Sequence, residues 1–321
     1  MEIGINLRHQ NGADFNELLT AVCEAERLGF GSVVFPDHYV AIEHVIHPDG
    51  LRGQADITSP TGPSDAWTVI ASLVMHTSTL RFGTMMTSST FRHPGPLAVI
   101  VAELNRFSGG RVDLGIGTNW HEGEHLRFGI PYPPLNERYK RLDEQLSIIR
   151  GLWLTPAGET FDIDGDFYRL AGGEGIPRPA NVPAPRVVIG GSGLRRTPRL
   201  AAKHADEVNS LARQPEGAAP FFDACRAARQ AIGRDPDTLR CSVLLPITCG
   251  VDDADTDRQL TAAGLRRDQI DPALICTPQQ LVERLERWRE AGVDRVVLSR
   301  RGAVDLPSLR MLGEAVVAAL Q

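Results

Sequence analysis

Short apolar runs rich in β-branched residues recur along the chain with helical segments between them, and this alternation constrains the fold more than any other feature. The expected strands are Ile3–Leu7, Ser32–Phe35, Leu80–Met86, Arg111–Gly115, Arg186–Ile189, Glu207–Ser210, Cys241–Ile247 and Arg295–Leu298. Strands joined through helices run parallel, because the crossover returns the chain to the starting edge. Eight such units predict the α/β class, specifically a (β/α)8 TIM barrel, and 321 residues suit one such domain over 1–321.

The helices carry their own start and stop signals. From Asp14 to Leu28 the apolar stripe is Phe15, Leu18, Leu19, Val22 and Ala25, and Gly29 supplies the left-handed stop. A second helix opens after Pro63 with Ser64 or Asp65 as cap, and Pro94 or Pro96 opens a third. Further helices are expected at Asn136–Leu152, Arg196–His204, Ala218–Ile232, Pro278–Ala291 and Asp305–Leu320. Two segments interrupt the rhythm: a polar loop over about 41–62, and an irregular stretch over about 154–185 with a short hairpin around Asp164-Gly165. Segments this long are usually functional, so both are expected as insertion loops at the C-terminal face.

Composition bounds the partners. A formal net charge of −6 gives no general attraction to nucleic acid or an anionic membrane, so an anionic ligand needs a local cationic pocket. Apolar runs such as Val69–Met75 and Ala315–Leu320 fall far short of the ~20 residues that span a bilayer. The start, Met1-Glu2-Ile3-Gly4-Ile5, lacks the regions of a secretory signal, and the simplest expectation is a cytoplasmic protein. Five scattered cysteines without Cys-x-x-Cys spacing read as reduced, mostly buried thiols.

In a parallel barrel the residues after each strand gather at one end, so the candidate site is the list of strand-end residues. That list holds Arg8, His9 and Gln10, then Asp37 and His38, then Thr87 and Ser88, then Thr118, Asn119, Trp120 and Glu122. Gly190, Gly191, Ser192 and Gly193 follow the fifth strand and lead into Arg195, Arg196 and Thr197; Asn209 belongs to the sixth, and Arg300 and Arg301 follow the eighth. Glycines between a strand and a helix expose backbone N–H groups and the positive helix end, which suits a phosphate. The plainer alternative is an ordinary βα turn with solvated arginines.

Two other motifs compete. His121-Glu122-Gly123-Glu124-His125 satisfies the His-Glu-x-x-His pattern of zinc peptidases, but that pattern needs a helix, and here it follows a Gly-rich strand end and contains a glycine. Gly115-Ile116-Gly117-Thr118-Asn119-Trp120 begins like a dinucleotide fingerprint, yet Trp120 occupies the third glycine position and the strand is fourth in order. No metal site and no nicotinamide domain is expected.

Several runs together resemble the luciferase-like monooxygenase superfamily over nearly the whole chain: Ser64-Asp65-Ala66-Trp67-Thr68, Leu80-Arg81-Phe82-Gly83-Thr84, Thr90-Phe91-Arg92-His93-Pro94-Gly95-Pro96, Ser108 to Gly117, and Phe128-Gly129-Ile130-Pro131. Ile189-Gly190-Gly191-Ser192-Gly193 with Arg195-Arg196-Thr197, and Ala205-Asp206-Glu207-Val208-Asn209, resemble its F420-dependent oxidoreductase branch. The resemblance implies coenzyme F420, with FMN as the alternative, at the barrel mouth and its phosphate near Gly190 to Gly193. It also implies a non-proline cis peptide at Met85-Met86, a ring-binding or proton-handling role for Asp37 and His38, and commonly a homodimer. Sugar-phosphate dehydrogenase relatives place an acid directly after a Thr-Gly pair, whereas this chain has Thr118-Asn119-Trp120.

The chemistry so implied is hydride transfer between the deazaflavin and a small organic substrate, with His38 and Glu122 as the candidate catalytic residues that exchange a proton. Cofactor contacts are expected from Asp37, Met85, Met86, Thr118, Asn119, Trp120, Gly190, Gly191, Ser192, Gly193, Arg195, Arg196, Thr197 and Asn209. The rivals are a two-component FMN monooxygenase served by a separate reductase, a zinc hydrolase, and a flavin-binding barrel without turnover.

Overall fold

The computed structural model describes residues 1–46, 52–56, 59–176, 178–302 and 304–320, with the backbone alone for 43–46 and 52–56. The strands that alternate with helices are β1 (Glu2–Asn6), β2 (Ser32–Phe35), β3 (Arg81–Thr84), β4 (Val112–Gly117), β5 (Val187–Gly190), β6 (Glu207–Ser210), β7 (Arg240–Cys249) and β8 (Arg295–Arg300). All eight expected strands are present, and β2 and β6 have the bounds that the apolar runs predict.

The chain divides into two compact units, the first of Met1–Phe82, Ser210–Ala219 and Cys241–Gln321, the second of Gly83–Asn209 and Pro220–Arg240. In the first, the hydrogen-bonded order is β7–β8–β1–β2, and these neighbours run parallel: Ile5 pairs with Leu298 and Val33, and Leu245 pairs with Leu298. A two-residue strand, Ile275–Cys276, lies parallel to the end of β7. In the second, β5 pairs in parallel with β4 on one side and β6 on the other, and Thr87–Ser88 adds to β4.

Strands buried on both faces read as continuous apolar runs rather than alternating ones. The four residues of β2 are all buried, as are the first five of β4. The helices cover them with stripes of period 3.6. Phe15–Arg27 buries Leu18, Ala21, Val22 and Ala25, and its start is fixed by a capping box between Asp14 and Glu17. Pro278–Glu290 buries Leu281, Leu285 and Trp288 behind a Thr277–Gln280 box.

The irregular segments hold more structure than their composition announces. Within 41–62, Ile42–Ile46 pairs antiparallel with Arg52–Asp56, while 47–51 and 57–58 lie outside the described residues. Within 154–185 the expected hairpin is present, Thr160–Asp164 against Arg169–Glu174. A helix that the apolar periodicity does not announce, Asp253–Ala262, follows β7. It buries only Thr256, Gln259 and Leu260, too thin a stripe to read by period, and Asp252 caps its start.

Candidate functional site

In the second unit, the ends of β3, β4 and β5 converge on small and polar groups. The Met85–Met86 peptide after β3 is cis, as the resemblance implies. The Met86 side chain lies against two glycines: a first side-chain carbon on Gly190 would fall 2.8 Å from its Cε, and one on Gly115 would fall 3.0 Å from its Sδ. Glycine at these positions therefore leaves room for the methionine.

After β5, the loop Gly190–Gly193 runs into the helix Arg196–His204, whose bounds match the expected ones. No side chain caps this helix start, so its first N–H groups are left to another acceptor. Gly191 donates its N–H to the Asn209 carbonyl at 3.1 Å, and a side-chain carbon there would meet Thr197 Oγ1 at 2.7 Å. Around Gly193 a first side-chain carbon would meet nothing within 4 Å. Thr197 is buried, and its Oγ1 lies 3.3 Å from the Tyr139 hydroxyl. The Arg196 guanidinium sits over the Tyr139 ring at 5.4 Å, while Arg195 and Ser192 are exposed. The result is an open cradle with hydroxyls and arginine at a helix N-terminus, where backbone N–H groups and the positive helix end favour negative charge.

After β4 the chain turns sharply. Asn119 holds a left-handed φ of 61°, which asparagine tolerates because its side chain can bond locally. Its Oδ1 accepts the N–H groups of Trp120 and His121, the second at 2.7 Å. Arg138 secures the same turn from the helix Leu135–Leu154, donating to the carbonyls of Thr118 at 3.0 Å and Asn119 at 2.6 Å. Glu122 opens the six-residue helix Glu122–Arg127 and is exposed.

The His-Glu-x-x-His segment does not form the face that zinc requires. His121 is the cap residue ahead of the helix. His125 is buried, with Nδ1 2.8 Å from the His121 carbonyl and Nε2 2.6 Å from Thr90 Oγ1. A carbonyl only accepts, so Nδ1 donates, and a neutral ring then accepts the Thr90 hydroxyl at Nε2. Both ring nitrogens are engaged by the protein. Among the described residues no cluster of three or more His, Cys, Asp or Glu is placed to hold a metal.

The first unit supplies its own strand-end polar set. Asp37 is buried and His38 half-buried after β2. His9 after β1 lies 2.8 Å from Ser64 Oγ and 2.8 Å from the Pro36 carbonyl, so Nε2 donates and Nδ1 accepts. Burial pushes the His9 pKa below the ordinary histidine value, against the Pro36 carbonyl and the Asp37 and Asp65 charges, which favour the cation. Arg8 is buried and donates to the Ile42 carbonyl at 3.2 Å.

The second unit thus brings together Met86, Gly190, Gly191, Thr197, Arg196 and Asn209, and separately Thr118, Asn119 and Trp120. Sequence reasoning missed Tyr139 and Arg138. Their signal was position: both lie at the start of a helix that follows β4, one turn inside its N-terminus.

Among the described residues no helix is long and apolar enough to cross a membrane. Residues 1–272 match the family described as luciferase-like monooxygenase. Over 302 residues the chain is 30% identical to an F420-dependent glucose-6-phosphate dehydrogenase from Nakamurella multipartita, covering 91% of this chain and 76% of that enzyme. It is 26% identical over 244 residues to an FMNH(2)-dependent dimethylsulfone monooxygenase from Pseudomonas putida, covering 64% of this chain and 66% of that one. The chain spans as little as 51% of the length of other curated relatives it matches. The solved structure of an F420-dependent secondary alcohol dehydrogenase in complex with an F420-acetone adduct is similar with a TM-score of 0.76 at 19% identity, covering 99% of this chain and 98% of that one. That likeness shows the fold, a (β/α)8 barrel. By the match over residues 1–272, the chain belongs to the luciferase-like monooxygenase family.

Proposed function

We propose that this chain is an F420-dependent oxidoreductase that moves a hydride between the deazaflavin and a small organic substrate. The observation that carries the reading is the cradle at Gly190 to Thr197. Gly191 is barred from carrying a side chain by Thr197 Oγ1 at 2.7 Å, and nothing lies within 4 Å of a side-chain carbon on Gly193. A phosphate seated there would meet uncapped helix N–H groups and the Thr197 hydroxyl, with Arg195 and Arg196 beside it. The F420-dependent description of the relative at 30% identity supports the deazaflavin.

When bound, the deazaflavin supplies the hydride chemistry. The chain's residues bind and orient. Tyr139 holds Thr197 in the cradle, and Arg138 separately holds the Thr118–Asn119 turn, so both groups are positioned before any ligand arrives. Ring contacts are proposed for Asp37, Met85, Met86 and Asn209. Proton exchange is proposed for His38, half-buried after β2, and for Glu122, whose exposure leaves its carboxylate able to exchange with solvent.

The second reading, an FMN-dependent monooxygenase fed by a separate reductase, is favoured by the dimethylsulfone monooxygenase relative. Fluorescence titration of the purified protein with oxidised F420 and, separately, FMN separates the two. The proposal expects tighter binding of F420, weakened about tenfold or more when Arg195 and Arg196 are both replaced by alanine, since a charge-assisted hydrogen bond contributes about 1.5–3 kcal/mol. Preference for FMN would move the assignment to the monooxygenase, and binding of neither would refute both.

A further inference from the structure

A second polar recess lies in the second unit, beside the loop that follows Thr87–Ser88. It is a cavity of about 230 Å³ walled by Ser89, Arg92, His93, Arg141 and Tyr168. We propose that this cavity binds a small organic acid, with the carboxylate or phosphate group held by the arginines, Ser89 and Tyr168, and the carbon body against Phe91, Pro131 and Pro133. The inference does not depend on the flavin reading, because it concerns different residues and a different ligand.

Ser89 carries the argument. The residue is 1% exposed and lies in the cavity wall, and its Oγ has no hydrogen-bond partner among the described residues. A buried hydroxyl without a partner costs free energy, and an acceptor in the cavity would relieve it. The backbone on either side is held in place: Ser89 donates its N–H to the Gly117 carbonyl at 2.9 Å, and Gln145 donates to the Arg92 carbonyl at 3.0 Å.

The charges are held in place as well. Arg141 donates to Glu137 Oε1 at 2.8 Å and lies over the Phe167 ring at 4.6 Å, so its planar head is oriented before a ligand arrives. Glu137 offsets part of that charge, while Arg92 adds a second arginine to the wall. Tyr168 is fixed by Glu144, which accepts its N–H at 2.6 Å, and by an edge contact with His93 at 5.2 Å. Burial raises the Tyr168 phenol pKa, against the Arg141 cation, which lowers it, so the hydroxyl remains a donor at neutral pH. Donors and cations therefore converge on one apolar-backed cavity, an arrangement that reads an anionic head on a short carbon body.

Isothermal titration of the intact protein with benzoate, phenyl phosphate and neutral benzamide tests this. The expected result is saturable binding of at least one of the two anions and none of benzamide. Arg141→Met should weaken it at least tenfold and Ser89→Ala severalfold, while replacing Arg195 and Arg196 by alanine leaves the binding of benzoate unchanged. Whichever anion binds more tightly distinguishes a carboxylate site from a phosphate site. Circular dichroism checks that each variant is folded, and Ser89→Ala alone decides if Arg141→Met is not. Failure of both anions to saturate, equal binding of benzamide, indifference to Ser89→Ala, or loss of benzoate binding in the Arg195/Arg196 variant would overturn the proposal.

Discussion

A first side-chain carbon on Gly115 would lie 1.9 Å from the carbonyl oxygen of Thr84, and Thr84 in turn donates its hydroxyl to the Gly115 carbonyl at 2.8 Å. The backbones of β3 and β4 are in contact here with no space for a methyl group. Gly115→Ala must push the strands apart and break that hydrogen bond. Overpacking of this kind typically costs about 1–3 kcal/mol, and the rigid backbone neighbour puts this case at the upper end or beyond. Thermal unfolding of the variant would show a melting temperature lowered by several degrees, or no soluble protein; an unchanged value would mean that the approach is not as tight.

Glu26 gives a second test, on acid stability. It accepts the N–H groups of Ser78, Thr79 and Leu80 at 2.8, 2.6 and 3.0 Å, and the Thr79 hydroxyl at 2.9 Å. Burial would raise its pKa, but these four donors outweigh it and hold the carboxyl at about 2, below the ordinary 4.5. The folded value is depressed, so the contribution is present above about pH 4.5 and is lost as pH falls toward 2. Glu26→Ala is expected to cost about 1–3 kcal/mol at neutral pH and less near pH 2, read from urea midpoints. Equal losses at both pH values would show that the charge does not matter.

Much of this architecture was legible because it depends on local pattern. Strands buried on both faces keep unbroken apolar runs, and helices such as Arg196–His204 announce themselves by period and cap, so their bounds follow from neighbours in sequence. The glycines of the cradle were legible for the same reason, lying at a strand end before a helix. Arg138 and Tyr139 were not, because a helical residue's target depends on the path of a turn some twenty residues earlier; Arg138 reaches Thr118 across that interval. The cavity beside Ser89 was invisible for a further reason: its walls come from a loop, a helix and a hairpin that no periodicity relates.

His9 predicts a separate pH dependence. Its folded pKa lies below the ordinary 6.5, so the unfolded chain binds a proton more readily than the folded one. The stability it supports is fully present above about pH 6.5 and is lost as pH falls below that, with a slope of up to about 1.4 kcal/mol per pH unit for one proton. Replacing His9 by Gln should flatten the stability profile between pH 5 and 7 in denaturant titrations. A profile as steep as before would assign the dependence to another group.

His125 tests the zinc alternative directly. Both ring nitrogens bond within the protein, to Thr90 and to the His121 carbonyl, so the residue is expected to act as a buried structural link. His125→Leu would remove the donor to the His121 carbonyl and leave the Thr90 hydroxyl with Ser88 Oγ, 2.6 Å away, at a combined cost of about 1–3 kcal/mol. Elemental analysis of the purified protein should find no stoichiometric zinc, and the variant should lose stability without losing metal. One zinc per chain that disappears with His125 would reverse the assignment.

Arg138 offers the most local readout, because its carbonyl acceptors immediately precede Trp120. Of the four tryptophans, Trp67, Trp153 and Trp288 are 3, 9 and 0% exposed, whereas Trp120 is 48% exposed and stacked on His121 at 5.2 Å between ring centroids. Quenching by acrylamide therefore reports chiefly on Trp120. Arg138→Leu keeps a buried apolar stem over Tyr132 but removes the donors to Thr118 and Asn119, and the left-handed Asn119 is then held only by its own side chain. The turn should loosen, and quenching of Trp120 should rise while the three buried tryptophans stay protected. If the cofactor depends on this turn, F420 affinity should fall in the same variant while its melting temperature drops by only a few degrees. Unchanged quenching would mean that Asn119 alone holds the turn, and that Arg138 contributes packing rather than position.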